Sequence, residues 1–510
     1  VDDASTRRDD DDDGQLEATM AGEIPMNGKA KDDVLTELES FRSGDVPWRE
    51  GKAFGYVFDA RHEAIDAGKR AYLAFMSENG LDPTSFPSLL RLENEVVRMC
   101  ASHVHGGPEV VGNFTSGGTE SILLAMKSAR DWAKKHRPEL FANGARPEIL
   151  APITAHAAFH KAAAYLELGI RTFDVDAESC RASAEAARAA LSDRTLVLVG
   201  SAPSYAYGVI DDITGLAALA SEKGLWMHVD ACMGGVVLPF MEKNGEEVAP
   251  FDFRVPGVWS LSMDLHKYGY TPKGASVVLY KDKGLRKHQI YACSEWAGYT
   301  IVNATVQSTK SGGPLAGAWA TMQCMGQEGY LGIVRDMRGA VRRFVEGIDA
   351  IPGLSVISRP DMTLVAFTTT SDAGFHVFHL PDLMKKRGWY IQPTLGTKQK
   401  SAPALREHVH LSVTAANVPH VERFLEDLRA CVEDARGIPR DDTAKEVAFM
   451  ASHIDPSTLD DAAFGKLLAM AGMNGAGVPD STAGINLILQ ELDPAFRKAI
   501  LIHYLNDLFE

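Results

Sequence analysis

The sequence predicts an α/β domain over residues 112–313, built on a doubly wound, mostly parallel sheet, with a smaller α+β domain after it. Three observations carry this. Short apolar runs at 148–153, 195–200, 225–229, 258–263 and 275–280 alternate with helical stretches at 119–135, 157–168 and 213–223, the pattern of successive βαβ units. A run of glycines and hydroxyls, from Thr115 and Ser116 through Gly117, Gly118 and Thr119, leads straight into the helical pattern that contains Ile122 and Leu123. Two of the apolar runs end in a polar group followed by glycine: Asp230 before Gly234 and Gly235, and Lys267 before Gly269. In this fold class, ligands lie beyond the carboxyl ends of the strands.

The remaining elements follow in chain order. Residues 1–51 are read as an acidic tail. Its five consecutive aspartates at 9–13 repel one another and predict disorder, and one short helix is expected near 32–41. Residues 52–111 predict a helical segment. Ile65, Tyr72, Phe75 and Met76 share a face over 60–76, Asn79, Gly80 and Pro83 supply a turn, and 88–102 is again helical through Leu89, Leu92, Val96, Val97 and Met99. After the large domain, a connecting helix over 314–348 leads to a small domain at 349–438. Its strands are expected at 354–358, 362–368 and 408–413, and its helices at 381–387 and 417–435. Residues 439–510 predict a helical extension past the linker at Gly437 and Pro439.

Composition narrows the function. The 510 residues are 45% hydrophobic and 24% charged, ample for more than one domain. A net charge of −16 argues against nucleic acid or an anionic membrane surface as partner, since either needs basic stripes. No apolar run approaches the roughly 20 residues of a membrane span. The six cysteines lack CxxC spacing and read as reduced thiols of a cytoplasmic protein, not as a zinc site or disulfide framework. No GxGxxG follows a strand, so a dinucleotide site has little support.

The chemistry concentrates at four places. Lys267, just past a buried strand with His266 beside it, is suited to Schiff-base formation: burial disfavours the ammonium and frees the amine to attack an aldehyde. Asp230 is placed to hold a pyridinium nitrogen protonated, which makes the ring an electron sink. Ser116, Gly117, Gly118 and Thr119 form a phosphate cradle of backbone N–H groups at a helix start. His156 is suited to stack on a flat cofactor. Its spacing from His160 also allows a metal pair, but no third ligand is placed to complete one, so no metal is expected. Cradle, imidazole, acid and lysine occur in the order used by pyridoxal 5′-phosphate (PLP) enzymes of the aspartate-aminotransferase fold, fold type I.

With those residues placed, the run from about 86 to about 282 resembles the sphingosine-1-phosphate lyases, within the group II PLP-dependent decarboxylases. The matching stretches are 115–123, 155–159, 208–211, 228–232, 251–255, 266–270 and 272–274. The resemblance implies a homodimer with shared active sites, in which Ser308 and Thr309 reach the neighbour's cofactor phosphate; a polar surface loop is the alternative. Lys310 stands where the family usually has arginine, which keeps the charge and loses the fork. It further implies that Tyr205 lies near the reacting carbon and serves proton transfer, that Lys273 binds a substrate phosphate, and that Asn79 belongs to a substrate-entry turn. Loop packing, a solvated lysine and turn formation are the respective alternatives. The eukaryotic lyases carry a membrane anchor that this sequence does not show, which implies a soluble, bacterial-type form.

Three departures mark the substrate pocket. Phe58 and Ala471 stand where the lyases have tyrosine, and Asp82 where they have histidine. Lost donors and an added carboxylate weaken the hold on a phosphate. The expected activity is therefore lyase-like cleavage of a β-hydroxy amine, phosphorylated or not, to an aldehyde and an amine. Amino-acid decarboxylation is the alternative, because the same electron sink serves either bond.

Overall fold

The structure, a computed structural model, describes residues 24–438, 443–456, 459, 461–470, 479 and 481–509. The aspartates at 9–13 and Ala471 lie outside the described residues. The chain divides into two units, Val1–Val46 and Pro47–Glu510. In the first, helix α1 (Lys31–Ser40) is followed by a 3-10 turn at Phe41–Gly44.

The second unit is organised by a seven-stranded sheet, β1 (Val111–Thr115), β2 (Glu148–Pro152), β3 (Gly169–Phe173), β4 (Thr195–Ser201), β5 (Trp226–Asp230), β6 (Val258–Asp264) and β7 (Ser276–Tyr280). Their spatial order is β1-β7-β6-β5-β4-β2-β3. Neighbours from β3 to β6 pair in parallel, and β7 runs antiparallel to both β6 and β1. Both faces are covered, so β2, β4, β5 and β7 are buried at every position, as a parallel sheet between helical layers requires.

Alternate strand residues feed two cores. Trp226, Val197 and Val278 pack against helices α4 (Gly118–His136) and α5 (Ala158–Leu166). Met227, Val229 and Met263 face the opposite layer. That layer holds α2 (Ala64–Ala74), α3 (Pro87–His103), α6 (Ala184–Ala189), α7 (Ile213–Lys223), α8 (Gly234–Lys243) and part of α10 (Gly312–Asp349). The short α9 (Lys283–Arg286) precedes a two-stranded ribbon, β8 (Tyr291–Cys293) with β9 (Ile301–Asn303). Helix α10 is interrupted at Gly326, whose φ of +58° lies in the left-handed region that favours glycine.

The small domain holds a four-stranded antiparallel sheet in the order β10-β11-β13-β12. These strands are β10 (Leu354–Val356), β11 (Leu364–Thr369), β12 (Gln392–Thr394) and β13 (His408–Ser412). Helices α11 (His379–Lys385) and α12 (Val421–Arg436) cover it. Its core also takes a residue from far upstream. Phe54 N donates to Tyr390 O, Phe54 O accepts from Ser412 N, and the Phe54 ring packs among Phe344, Trp389 and Phe424. Each such fully buried ring contributes about 1.5–3 kcal/mol. Beyond it, α13 (Thr443–Ala451), α14 (Asp461–Met470), α15 (Ala483–Glu491) and α16 (Pro494–Leu508) share a separate core that includes Val447, Phe464, Ile488 and Phe496. Asp382 of α11 fastens this bundle by accepting from Ser481 Oγ, Thr482 N and Ala483 N. Among the described residues no helix is long and apolar enough to cross a membrane.

Candidate active site

The carboxyl ends of β4, β5 and β6 open onto one cavity of about 380 Å³. Its lining includes Ser116, Gly117, Gly118 and Thr119 from the start of α4, His156 ahead of α5, and Tyr205 after β4. Asp230 and Cys232 come from the end of β5, and Asp264, His266 and Lys267 from the end of β6. Nine of the thirteen predicted site residues are thus brought together: Ser116, Gly117, Gly118, Thr119, His156, Tyr205, Asp230, His266 and Lys267. Asn79, Lys273, Ser308 and Thr309 do not line the cavity of their own chain; of these, Lys273 is near enough to feel the charges of Lys267 and Asp264. A larger cavity, about 640 Å³, lies behind β6 against Met263 and Leu265 and contains none of the predicted residues.

Each wall has a local cause. The loop before α4 is tied down by a buried hydroxyl chain, Thr115 Oγ1 to Ser121 Oγ at 2.6 Å and Ser121 Oγ to Ser276 Oγ at 2.8 Å. The N-terminus of α4 has no side-chain cap, so its first N–H groups are left for a ligand. A Cβ at Gly118 would come within 2.8 Å of both Asp264 Oδ2 and Cys232 Sγ, so only glycine leaves the cradle open. Ser116 is partly committed elsewhere: its N–H and hydroxyl both donate to Glu120 Oε2 at 2.7 Å, while Glu120 Oε1 accepts from Val306 N.

Asp230 Oδ1 accepts from Cys232 N at 3.0 Å, which fixes the carboxylate at the strand end. His156 is exposed, and its Nδ1 accepts from Ala158 N at the start of α5, holding the ring at the cavity edge. His266 Nδ1 accepts from Ala275 N at 3.0 Å, which leaves the proton on Nε2, 3.6 Å from Asp264 Oδ2. Tyr205 stacks on His410 of β13 with ring centres 4.3 Å apart, and its hydroxyl donates to Gln392 Oε1 of β12 at 2.6 Å. Burial raises the Tyr205 phenol above its ordinary value.

The charge on Lys267 corrects an expectation. Burial does oppose its ammonium, but the fields of Asp264 and Asp230 outweigh burial and hold the amine above the ordinary lysine value. Its Nζ lies 3.0 Å from Asp264 Oδ2, and the Asp264 side chain is 2% exposed. Asp264 went unnoticed in the sequence because it sits inside an apolar run. Gln392 and His410 went unnoticed because they reach Tyr205 from another domain.

At the rim, Lys273 Nζ donates to Tyr56 O at 2.8 Å and stands 5.2 Å from the centre of the Phe58 ring. Asn79 Oδ1 accepts from Leu81 N and its backbone bridges Ser311, so the entry turn and the 308–311 loop are neighbours. Lys310 is not a free cation: its Nζ pairs with Glu93 Oε2 at 2.7 Å. Asp82 caps its own turn, accepting from Thr84 N and Thr84 Oγ1.

The donor set fits PLP. The uncapped helix start suits a phosphate, Asp230 a protonated ring nitrogen, and Lys267 an aldehyde. The cavity between them is held open at Gly118. The pyridoxal-dependent decarboxylase conserved domain matches residues 71–370, and a C-terminal domain of pyridoxal-dependent enzymes matches residues 445–507. The sphingosine-1-phosphate lyase of Arabidopsis thaliana is 38% identical over 424 residues, 82% of this chain and 74% of that protein. A Pyrococcus furiosus relative, named as a probable L-aspartate decarboxylase, is 31% identical over 73% of this chain and 95% of its own. The solved structure of a Burkholderia pseudomallei sphingosine-1-phosphate lyase aligns with a TM-score of 0.74 at 34% identity, covering 86% of this chain and 97% of that one.

Proposed function

The chain belongs to the pyridoxal-dependent decarboxylase family, and from that premise we propose that it is a carbon–carbon lyase that cleaves a β-hydroxy amine to an aldehyde and an amine. It is a PLP-dependent enzyme of fold type I. One observation carries the site assignment: Lys267 and Asp230 end adjacent parallel strands and face a single cavity onto which the bare N-terminus of α4 opens. When bound, PLP supplies the electron sink that stabilises the carbanion left by bond cleavage.

The chain's own residues do the rest. Gly117, Gly118 and Thr119 hold the phosphate with backbone N–H groups, and Lys267 provides the anchoring amine. Asp230 would keep a proton on the ring nitrogen, and His156 would stack on the ring. The Tyr205 hydroxyl donates its hydrogen bond to Gln392 Oε1, so its oxygen serves as an acceptor that orients the substrate's β-hydroxyl. Lys273, on the rim, meets an anionic substrate group, and Asn79 shapes the entry turn.

The active unit is a homodimer in which Ser308 and Thr309 complete the partner's phosphate site. Tyr291, Trp296, Tyr299, Val302 and Val306, exposed on and beside the β8–β9 ribbon just ahead of those residues, support a covered face there. A cytoplasmic location accords with the six unpaired cysteines. A panel of phosphorylated and plain β-hydroxy amines and of amino acids, assayed for aldehyde and for CO2, tests the reaction. Aldehyde from the β-hydroxy amines is the expected product; CO2 from an acidic amino acid with no aldehyde would replace the lyase with a decarboxylase. Sedimentation of a fully active monomer would remove the shared site.

A further inference from the structure

Asp264 is the most enclosed acid of the site and has no part in the roles assigned above. Its Oδ2 holds Lys267 Nζ at 3.0 Å and lies 3.6 Å from His266 Nε2. Its Oδ1 is buried and has no hydrogen-bond partner among the described residues, although burying a carboxylate oxygen unpaired is costly. Asp264 lines the same cavity as Lys267, and the missing side chain at Gly118 keeps its two oxygens clear, since a Cβ there would stand 2.8–2.9 Å from each. This acid is therefore packed against the lysine and open to the cavity, with spare acceptor capacity.

The other charged and titratable groups near the amine do not duplicate it. Asp230 faces it from the end of β5 but is turned onto Cys232 N. The Cys232 thiol is pushed well up by burial, then by Asp230 and Asp264, so it carries no charge at neutral pH. His266 is lowered by burial and stands neutral, and Tyr205 is raised by burial. Lys273 opposes a second positive charge nearby. His156 and Glu120 line the same cavity without an ion pair to Lys267. Among the described residues, Asp264 alone makes an ion pair with Lys267.

We propose that Asp264 is a positioning residue that parks the Lys267 amine as an ammonium, aimed into the cavity and unreactive, so that capture of the cofactor waits on loss of one proton from this pair. The proton passes to solvent. The neutral amine would then add to the aldehyde carbon, a C=N bond replacing the C=O bond as the carbonyl oxygen leaves as water with the two remaining amine hydrogens. Asp264 thereby sets the pH at which the empty enzyme can be loaded and protects its one essential amine from stray carbonyl compounds. The inference rests on Lys267 being the cofactor-anchoring lysine.

The test uses the full chain stripped of cofactor and labelled by acetic anhydride across a pH series, with peptide mass spectrometry reading each lysine separately. The midpoint is read, because burial slows labelling at every pH. Lys31, whose side chain is 85% exposed, is the internal reference. In the wild type, Lys267 should label with a higher midpoint than Lys31. Asp264→Asn should move that midpoint down and raise labelling at neutral pH by about tenfold or more, one unit of pKa being a tenfold change in free amine. Asp264→Glu should restore the wild-type order. An unmoved midpoint in Asp264→Asn overturns the proposal. So does a wild-type Lys267 midpoint at or below that of Lys31, a comparison that needs no variant to fold. Borohydride reduction of the holoenzyme separates the two levels. An adduct mapped away from Lys267 sinks the site assignment, whereas an adduct on Lys267 with an unmoved midpoint sinks only the role of Asp264.

Discussion

Lys267 and Lys273 lie six positions apart on one loop, yet the fold treats them in opposite ways. Lys267 is enclosed at the sheet's carboxyl edge, paired with a buried acid, and its amine is held above the ordinary lysine value. Lys273 sits on the exposed rim over the face of Phe58, and its amine is lowered, first by desolvation and then by the Lys267 charge. The first is fixed by strands adjacent in one sheet. The second depends on the 56–58 segment, which reaches Lys273 across 217 positions of sequence only because distant segments fold together. The cofactor chemistry is thus built into the sheet, and the substrate choice is built onto its edge. A change in the enclosed region should cost activity toward every substrate, whereas a change on the rim should alter which substrate is preferred.

The largest break in that division is Lys267→Ala. Loss of the anchoring amine should lower turnover by more than about 10³-fold on all substrates and remove the borohydride-reducible cofactor bond, a loss expected when a single nucleophilic and proton-carrying group is deleted. A variant that keeps the reducible bond at the wild-type level would displace Lys267 from its role. Asp230→Asn comes next. The amide preserves shape but cannot hold the ring nitrogen protonated, so turnover should fall by about 10²–10³-fold with little change in the melting temperature. Equal losses of activity and stability would mark Asp230 as a strand-end cap only.

Much of the enclosed region was legible in the sequence because local signals and global fold agree there. Strands β2 and β4 to β7 are apolar runs, and the two key side chains stand just where the last two parallel runs end. Less conspicuous elements were missed for stated reasons. β1 carries Gly112 and Asn113, β3 carries an arginine and a threonine, and β12 is three residues long with Pro393 inside it. Helix α8 opens on two glycines and contains Pro239, so its sequence reads as a turn, although every residue from Gly234 to Met241 is buried. In the site, Asp264 was hidden by its apolar neighbours Leu261, Met263 and Leu265. The contact between Tyr205 and Gln392 spans 187 positions, a separation that no local pattern encodes. Phe58 stood out only as a departure, and the structure gives it a contact: its ring meets Tyr268 edge-on at 4.9 Å beneath Lys273.

Gly118→Ala sharpens the boundary of the enclosed region. A methyl group 2.8 Å from Asp264 Oδ2 and Cys232 Sγ forces a shift in the cradle, and overpacking of this kind costs about 1–3 kcal/mol. Cofactor affinity should weaken by about tenfold to a hundredfold, read by titration of the cofactor-free enzyme, with the effect on turnover disappearing at saturating cofactor. Weakening that persists at saturation would mean that the methyl group disturbs Lys267 as well.

The smallest expected effect lies at the rim. A charge-assisted contact contributes about 1.5–3 kcal/mol, or one to two decades in affinity, but Lys273 is exposed and already spends a donor on Tyr56 O. Solvent screening keeps the net effect at the lower end. Lys273→Ala should therefore raise KM for a phosphorylated β-hydroxy amine by about tenfold and leave KM for its uncharged analogue unchanged. Phe58→Tyr should act in the opposite sense, since a hydroxyl on the ring that lies under the ammonium adds a donor beside the same anion. Asp82→His should add little: the Asp82 carboxylate is turned onto Thr84, whose hydrogen bonds lower its pKa and satisfy its charge. If Lys273→Ala raises KM for both substrates alike, the lysine serves to hold the 56–58 segment through the Tyr56 carbonyl. Substrate choice would then lie with Tyr205 and Gln392, which join the large domain to the small one.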